Sequence, residues 1–457
     1  MATTPVIADY MTPGGRVHLI GIGGVSMAPL AEALLGAGLT VTGSDMAESP
    51  VTERLRGMGI AIAIGHRAEN VDAARCIIRT AAAREDNPEV IEARAKGIPI
   101  FERAQGWGHI MRQYKHAVCI SGTHGKTSTT SMTTHILMAA GVDPTVMIGG
   151  TLPKLQAGHR VGDGDTIVLE SCEYYDSFHN FSPTVAVVLN VEEDHLDYFK
   201  NLAGIQASFR KFASLVPEDG CIAANGDDPN TIDALTPLGR PLMTFGLQAG
   251  NRVRGENVVY TERDTSFDVT FDGAFYAHVT LQLPGAHNVS NALAAIAAAI
   301  FLRLPAQAVV EGLADFTGAG RRFEYKGQMQ GAAIYDDYAH HPSELKALLD
   351  AVEPLGYDRV IMAFQPHTYT RTKAFFAEFV QELKRPDMVL VGEIFAAREQ
   401  NTVGITAADL AAEIPGAVHY GTLAAMTEAL RDIAQSGDLI LTVGAGDIYK
   451  AGEGLLE

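Results

Sequence analysis

The eight residues Ser121-Gly122-Thr123-His124-Gly125-Lys126-Thr127-Ser128 set the expected fold of this chain. Before them, His116-Ala117-Val118-Cys119-Ile120 is an apolar run of strand length. After them, Met132, Ile136, Leu137 and Ala140 recur at helical spacing between Thr129 and Ala140. Strand, glycine turn and helix is the setting of a phosphate-binding loop. Gly122 and Gly125 let backbone N–H groups face an anion with no side chain in the way. The helix that follows offers unpaired N–H groups and its positive dipole end. Lys126 adds a full charge, and the Thr127 hydroxyl suits Mg2+. The spacing is the compressed GxxGKT form, because Ile120 stands where GxxxxGK[ST] needs glycine.

The 457 residues are 47% apolar and 19% charged, which suits about three globular domains. A formal charge of −19 argues against a broad nucleic-acid or anionic-membrane surface, so a polyanion must be held by loops and single cations. Cys76, Cys119, Cys172 and Cys221 lack metal-ligand spacing, and Cys119 reads as a core thiol of a reducing compartment. No basic segment followed by an apolar block opens the chain, which predicts no signal peptide. The longest apolar run, Ala292 to Leu302, is too short to span a bilayer. These features predict a cytoplasmic protein without a repeat architecture.

Upstream, Val17-His18-Leu19-Ile20 reads as a strand running into Gly21-Ile22-Gly23-Gly24-Val25-Ser26, then an amphipathic helix. A second strand, Leu39 to Thr42, ends at Gly43-Ser44-Asp45. This is a βαβ unit with a glycine-rich first turn and an acidic residue where a ribose would lie. NAD is one reading. The diphosphate of another nucleotide is a second, because Ser26 replaces the last glycine of GxGxxG. Ile60 to Ile64 and Cys76 to Ile78 suit further parallel strands, and Asn87-Pro88 reads as a helix start.

Downstream, Thr166 to Glu173 reads as a buried strand ending in carboxylates, and Val185 to Asn190 as another that leads into Glu192-Glu193-Asp194-His195. In an open parallel sheet, ligands sit at the carboxyl ends of the strands. Glu173 and His195 could therefore meet a metal held by Thr127. A histidine among oxygen ligands is compatible with Mn2+ in place of Mg2+. Asn225-Gly226-Asp227-Asp228-Pro229 is a turn that could close over a nucleotide. In Gly285-Ala286-His287-Asn288-Val289-Ser290-Asn291, Asn288 or Ser290 could cap the alanine-rich helix, while His287 and Asn291 could reach a base. Gly318-Ala319-Gly320 reads as a hinge. Beyond it, strands end at Tyr338-Ala339-His340-His341, at Gln365-Pro366-His367 with Arg371, at Gly392-Glu393 and at Gly444-Ala445-Gly446. That is a doubly wound domain whose His340, His341, His367 and Arg371 suit a carboxylate.

ATP, Mg2+, a second nucleotide-like turn and a cationic third domain suit an enzyme that joins two small substrates, with an acyl phosphate as a route. A kinase or a motion-driving ATPase would share the loop. Across its length the sequence resembles the Mur ligases of peptidoglycan synthesis. The matching stretches are His18 to Gly24, Gly43 to Asp45, Ser121 to Thr127, Glu192 to Tyr198, His287 to Leu293, Arg321 to Glu324, Asp336 to Pro342, Phe364 to Thr372 and Gly444 to Ile448.

The resemblance implies three α/β domains, each on a mostly parallel sheet: residues 1–112 Rossmann-like for the UDP-sugar, 113–320 for ATP, and 321–457 Rossmann-like for the amino acid. The Gly-Thr-His-Gly-Lys-Thr histidine and the His-His-Pro motif favour the member that adds L-alanine to UDP-N-acetylmuramic acid. By the same resemblance Gly21, Gly23, Gly24 and Asp45 would hold the UDP part. Gly122, Thr123, His124, Gly125, Lys126, Thr127 and Ser128 would cradle ATP, with His287 and Asn291 near adenine and Arg322 on the phosphates. Thr127, Glu173 and His195 would ligate Mg2+. Tyr338, His340, His367 and Arg371 would place alanine and the muramoyl carboxylate. Lys126, Glu173, His195, Arg322 and His340 form the implied catalytic set. The expected partners are these small molecules, with no nucleic acid or membrane and a monomer or homodimer as the assembly.

Cys172-Glu173-Tyr174-Tyr175 departs from the Asp-Glu-Ser-Asp of many members and loses the carboxylates flanking Glu173. Phe209-Arg210-Lys211-Phe212 lies where several members carry a carbamoylated lysine. Three alternatives stand beside this reading: a recycling ligase that attaches a whole tripeptide to the same sugar nucleotide, an NAD-dependent oxidoreductase built on residues 15–112, and a non-catalytic nucleotide switch.

Overall fold

The computed structural model describes residues 5–261 and 264–457, organised on three sheets. In the first, the strands run in the order Ala61–Ile64, Thr40–Asp45, Arg16–Ile20, Cys76–Arg79, Ile100–Glu102, all parallel. The order reverses direction beside Arg16–Ile20, and the Gly21 turn leaves that strand at the resulting crevice, where open α/β sheets bind ligands. The Asn87 side chain accepts from Glu89 N–H at 2.9 Å, capping the helix Pro88–Ala95 as its sequence predicts.

The second sheet has ten strands and is mostly parallel. Its loop-bearing strand His116–Ser121 lies between Thr166–Glu170 and Val185–Val188. Ile120 is in register with Glu170, and Ser121 with Val188, so both neighbours end level with the glycine loop. Antiparallel strands occur at its margins: Val253–Tyr260, Thr265–Phe271 and Ala274–Leu281 at one side, Thr145–Leu152 with Ala157–Arg160 at the other. The helices Lys126–Ala139 and Ala286–Phe301 pack on this sheet. Met132, Ile136 and Leu137 are buried as their spacing predicts, whereas Ala140 caps the helix end half-buried.

The third sheet has six strands, in the order Glu324–Met329, Ala332–Asp337, Asp438–Val443, Arg359–Phe364, Met388–Gly392, Val418–Tyr420. Four were expected. The additional Glu324–Met329 and Val418–Tyr420 are edge strands without a continuous apolar run. Glu324–Met329 is antiparallel and the remaining pairs are parallel. Asp337, Val443 and Phe364 share one register level, so the loops after them emerge together.

The first two units meet closely. A Cβ at Gly108 would lie 1.8 Å from the Asn180 carbonyl oxygen, so only glycine lets the helix Arg103–Met111 approach that chain. Among the described residues, no helix is long and apolar enough to cross a membrane.

Candidate active site

The phosphate-type loop is built as its sequence predicts. Gly122 and Gly125 have φ of +145° and +83°, and Gly125 precedes the helix Lys126–Ala139. Asn190 braces the loop. Its carbonyl accepts from Thr123 N–H at 3.1 Å, its Oδ1 accepts from His124 N–H at 2.7 Å, and its Nδ2 donates to the His124 carbonyl at 3.2 Å. Asn190 escaped the sequence reading as a site residue, although it closes a strand already identified.

Two carboxylates meet the loop. Thr127 Oγ1 donates to Glu170 Oε2 at 2.9 Å, and Gly149 N–H donates to the same oxygen at 2.8 Å. Glu173, 2% exposed, lies past the strand end rather than within it, and receives Lys126 Nζ at 3.1 Å. Burial opposes the Lys126 charge, but Glu173 outweighs it and raises the ammonium above its ordinary pKa. His195 Nε2 is 4.0 Å from Glu173 Oε1. Thr127 and Glu173 thus belong to one cluster, with Glu170 as an unanticipated neighbour. Hydroxyl, carboxylate and imidazole donors around a buried carboxylate that already holds a cation fit a divalent metal of the Mg2+ or Mn2+ type.

Next to Glu173, aromatic packing surrounds His195. Tyr174 stacks on His195 with ring centroids 4.1 Å apart, and its hydroxyl donates to Asp197 Oδ2 at 2.7 Å. Lys211 sits exposed on its helix, whose C-terminal turn it occupies.

One cavity is lined by His124, Gly125, Ser128, His287, Asn291 and Arg322, six of the residues assigned to ATP. Asn291 packs on the loop, since a Cβ at Gly125 would meet its Oδ1 at 2.4 Å. Arg322 lies over the Tyr338 ring at 5.0 Å. One expectation fails here. Neither Asn288 nor Ser290 caps the alanine-rich helix, because Gly285 occupies that position and Asn288 Nδ2 turns back to the Pro284 carbonyl at 2.7 Å. In the Asn225 to Pro229 turn, Asp227 accepts from Leu247 N–H at 2.5 Å, and Asp228 caps the helix Pro229–Leu235.

From the third sheet come Tyr338, His340 and His367, with the last two rings 5.6 Å apart. Burial pushes His340 down to about 3 and His367 down to about 4, so both are neutral. His340 Nδ1 lies 3.0 Å from the Tyr338 carbonyl, which makes that nitrogen the donor. Arg371 is not an open cation. It grips Asp194 with contacts of 2.8 and 3.1 Å, both side chains 8% exposed, and touches His367 Nδ1 at 3.1 Å. Arg321, next to Arg322 in the chain, is engaged elsewhere. It binds Asp336 at 2.8 Å and the carbonyls of Gly444 and Gly446, fixing the last glycine loop.

The first glycine turn lines a separate cavity with Gly21, Gly23, Gly24, Asp45 and His66. Asp45 turns inward: Oδ2 accepts from Gly23 N–H at 2.8 Å and Oδ1 from Met46 N–H at 2.7 Å. It braces the turn as well as facing the cavity. His66 was not singled out in the sequence. It contacts Ser44 Oγ at 3.1 Å and the buried Glu89 at 3.3 Å.

Comparison with known proteins follows this division. The models described as Mur ligase family, catalytic domain; Mur ligase middle domain; and Mur ligase, glutamate ligase domain match residues 16–115, 120–299 and 321–446. The UDP-N-acetylmuramate--L-alanine ligase of Caldanaerobacter subterraneus is 43% identical over 447 residues, 97% of each chain. The crystal structure of the UDP-N-acetylmuramate-alanine ligase of Thermotoga maritima superposes with a TM-score of 0.79 at 28% identity, covering 96% of this chain and 98% of that one. The murein peptide ligase of Psychrobacter arcticus has the same fold, with a TM-score of 0.67 at 24% identity over 96% of this chain and 98% of that one.

Proposed function

The chain belongs to the Mur ligase family, and on that premise we infer that it joins L-alanine to the carboxylate of UDP-N-acetylmuramic acid in cytoplasmic peptidoglycan precursor synthesis, with ATP converted to ADP and phosphate. The observation that carries the reaction is the junction of the central and third units: Asp194 grips Arg371 beside His367, and His124 of the phosphate loop meets Glu344, which accepts the His340 N–H. An oxidoreductase has no use for that junction, and family membership removes that reading.

The sugar nucleotide takes the Gly21 cavity and extends its carboxylate toward the phosphate loop. ATP takes the cavity between His124, Asn291 and Arg322. The carboxylate oxygen attacks the γ-phosphorus, the bond to the β,γ-bridging oxygen breaks, and ADP leaves. Lys126, already in place, meets the charge that builds on the transferred phosphoryl group. Thr127, Glu173 and His195, with Glu170 adjacent, would hold Mg2+ or Mn2+, which neutralises phosphate charge when bound. Neutral His340, its Nδ1 committed to the Tyr338 carbonyl, offers its other ring nitrogen as an acceptor for the alanine amine. The amine then attacks the acyl carbon and phosphate departs. Holding three substrates together supplies much of the rate.

The test is ADP release with Mg2+, ATP and UDP-N-acetylmuramic acid, supplied with L-alanine, with L-Ala-γ-D-Glu-diaminopimelate, or with neither. Release with L-alanine and a product heavier by one alanyl residue is expected. Release only with the tripeptide would assign the chain to the recycling branch.

A further inference from the structure

The phosphate loop carries one side chain whose contacts lie mostly outside its own domain. His124 Nδ1 is 3.0 Å from Glu344 Oε1, and its Nε2 is 3.0 Å from Ser343 Oγ and 3.4 Å from Glu192 Oε2. Glu192 belongs to the central unit, and Ser343 and Glu344 open the helix Pro342–Val352 of the third. His341 joins from the same helix start, its ring 4.9 Å from that of His124. The donor atoms of His124, Glu192 and His341 lie within 4.8 Å of one another.

The surroundings favour the charged form of the imidazole at the centre of this cluster. Burial opposes charge on His124, but Glu344 and Glu192 outweigh it and push the imidazole up to about 10, while burial and the neighbouring His124 push His341 down to about 4. One imidazolium therefore separates two carboxylates that would otherwise repel across the domain boundary. Glu344 carries the contact further. Its second oxygen accepts from the backbone N–H of His340 at 2.9 Å and of His341 at 3.2 Å. An unbroken path thus runs from the loop through His124 and Glu344 to His340.

We propose that His124 is a positioning residue: by linking Glu192 to Glu344, it seats the third domain on the phosphate loop and sets His340 for the amino acid. This rests on the ligase reading for its substrates. ATP bound against the loop would hold His124 in the orientation that already meets Glu344, which couples nucleotide binding to the seating of the third domain.

The experiment is a double-mutant cycle with His124→Gln, Glu344→Gln and both together, with His124→Lys as a charge-retaining variant. Steady-state kinetics and small-angle scattering, the latter with a non-hydrolysable ATP analogue and Mg2+, are read on each protein. Each single variant is expected to raise KM for L-alanine about 10-fold and to move KM for ATP less, with the double variant no worse than either single one. The parent protein is expected to contract on adding the analogue, the contraction to be lost in both glutamine variants and partly kept in His124→Lys; no contraction in the parent would overturn the proposal. Multiplicative effects in the double variant, or a loss falling on KM for ATP alone, would overturn the proposal. Scattering does not depend on turnover. Loss of contraction therefore supports the contact even if no alanine-dependent ADP release occurs, whereas contraction in every variant rejects the contact whatever the enzyme makes.

Discussion

The chain builds the same backbone device twice and uses it differently each time. Gly21 and Gly125 both have left-handed φ, +77° and +83°, in turns that link a central parallel strand to a helix. A Cβ at Gly21 would meet Thr80 Cγ2 at 2.6 Å, and one at Gly125 would meet Asn291 Oδ1 at 2.4 Å. The backbones offer similar N–H groups to a phosphate. The difference lies in the side chains delivered by neighbouring strands. At the first turn, Asp45 accepts the Gly23 N–H and lends no positive charge. At the second, Lys126 meets Glu173 and Thr127 meets Glu170. A turn with only N–H groups can hold a diphosphate that does not react. A turn with a lysine and two carboxylates can manage a phosphoryl group while its charge changes.

Removing the lysine should break this contrast most severely. Lys126→Ala should lower turnover by about 10²-fold or more, because a preorganised charge is lost where phosphoryl transfer occurs. ADP release measures it, and near-normal turnover would show that the second turn is no more reactive than the first.

The matched glycine pair sharpens the contrast. Gly125→Ala and Gly21→Ala should each cost about 1–3 kcal/mol of stability, since both put a Cβ on a left-handed residue. Their kinetic effects should separate: KM for ATP rising about 10-fold in the first, and KM for the sugar nucleotide by a similar factor in the second. Thermal melts with each nucleotide, beside the kinetics, check both parts. Equal effects on both substrates would mean that the turns do not act independently.

The mildest change is Asp45→Asn. The carboxamide keeps an acceptor for Gly23 but loses one of the two carboxylate bonds to backbone N–H groups. Loss of one such hydrogen bond is worth about 1 kcal/mol, so KM for the sugar nucleotide should rise about 5-fold with turnover unchanged. A drop in turnover instead would place Asp45 in the chemistry.

Most of the single positions were legible in the sequence. The glycine turns, the cap at Asn87, the strand ends and the loop lysine follow from the backbone freedom of glycine, short side-chain caps and runs of apolar residues. The Asn288 region has ordinary cap chemistry, but which backbone group its side chain meets depends on the segment packed against it. The edge strands Glu324–Met329 and Val418–Tyr420 escaped because partly exposed strands lack a strong apolar signal.

Where the chain turns toward phosphates is encoded within a few consecutive residues. What stands beside those turns is set by the packing of distant segments. Strand order places Glu170 and Asn190 level with the loop, and domain packing gives Arg371 to Asp194 and His124 to Glu344. These partners lie tens to hundreds of residues apart, and many weak packing contacts, summed over whole sheets, choose them.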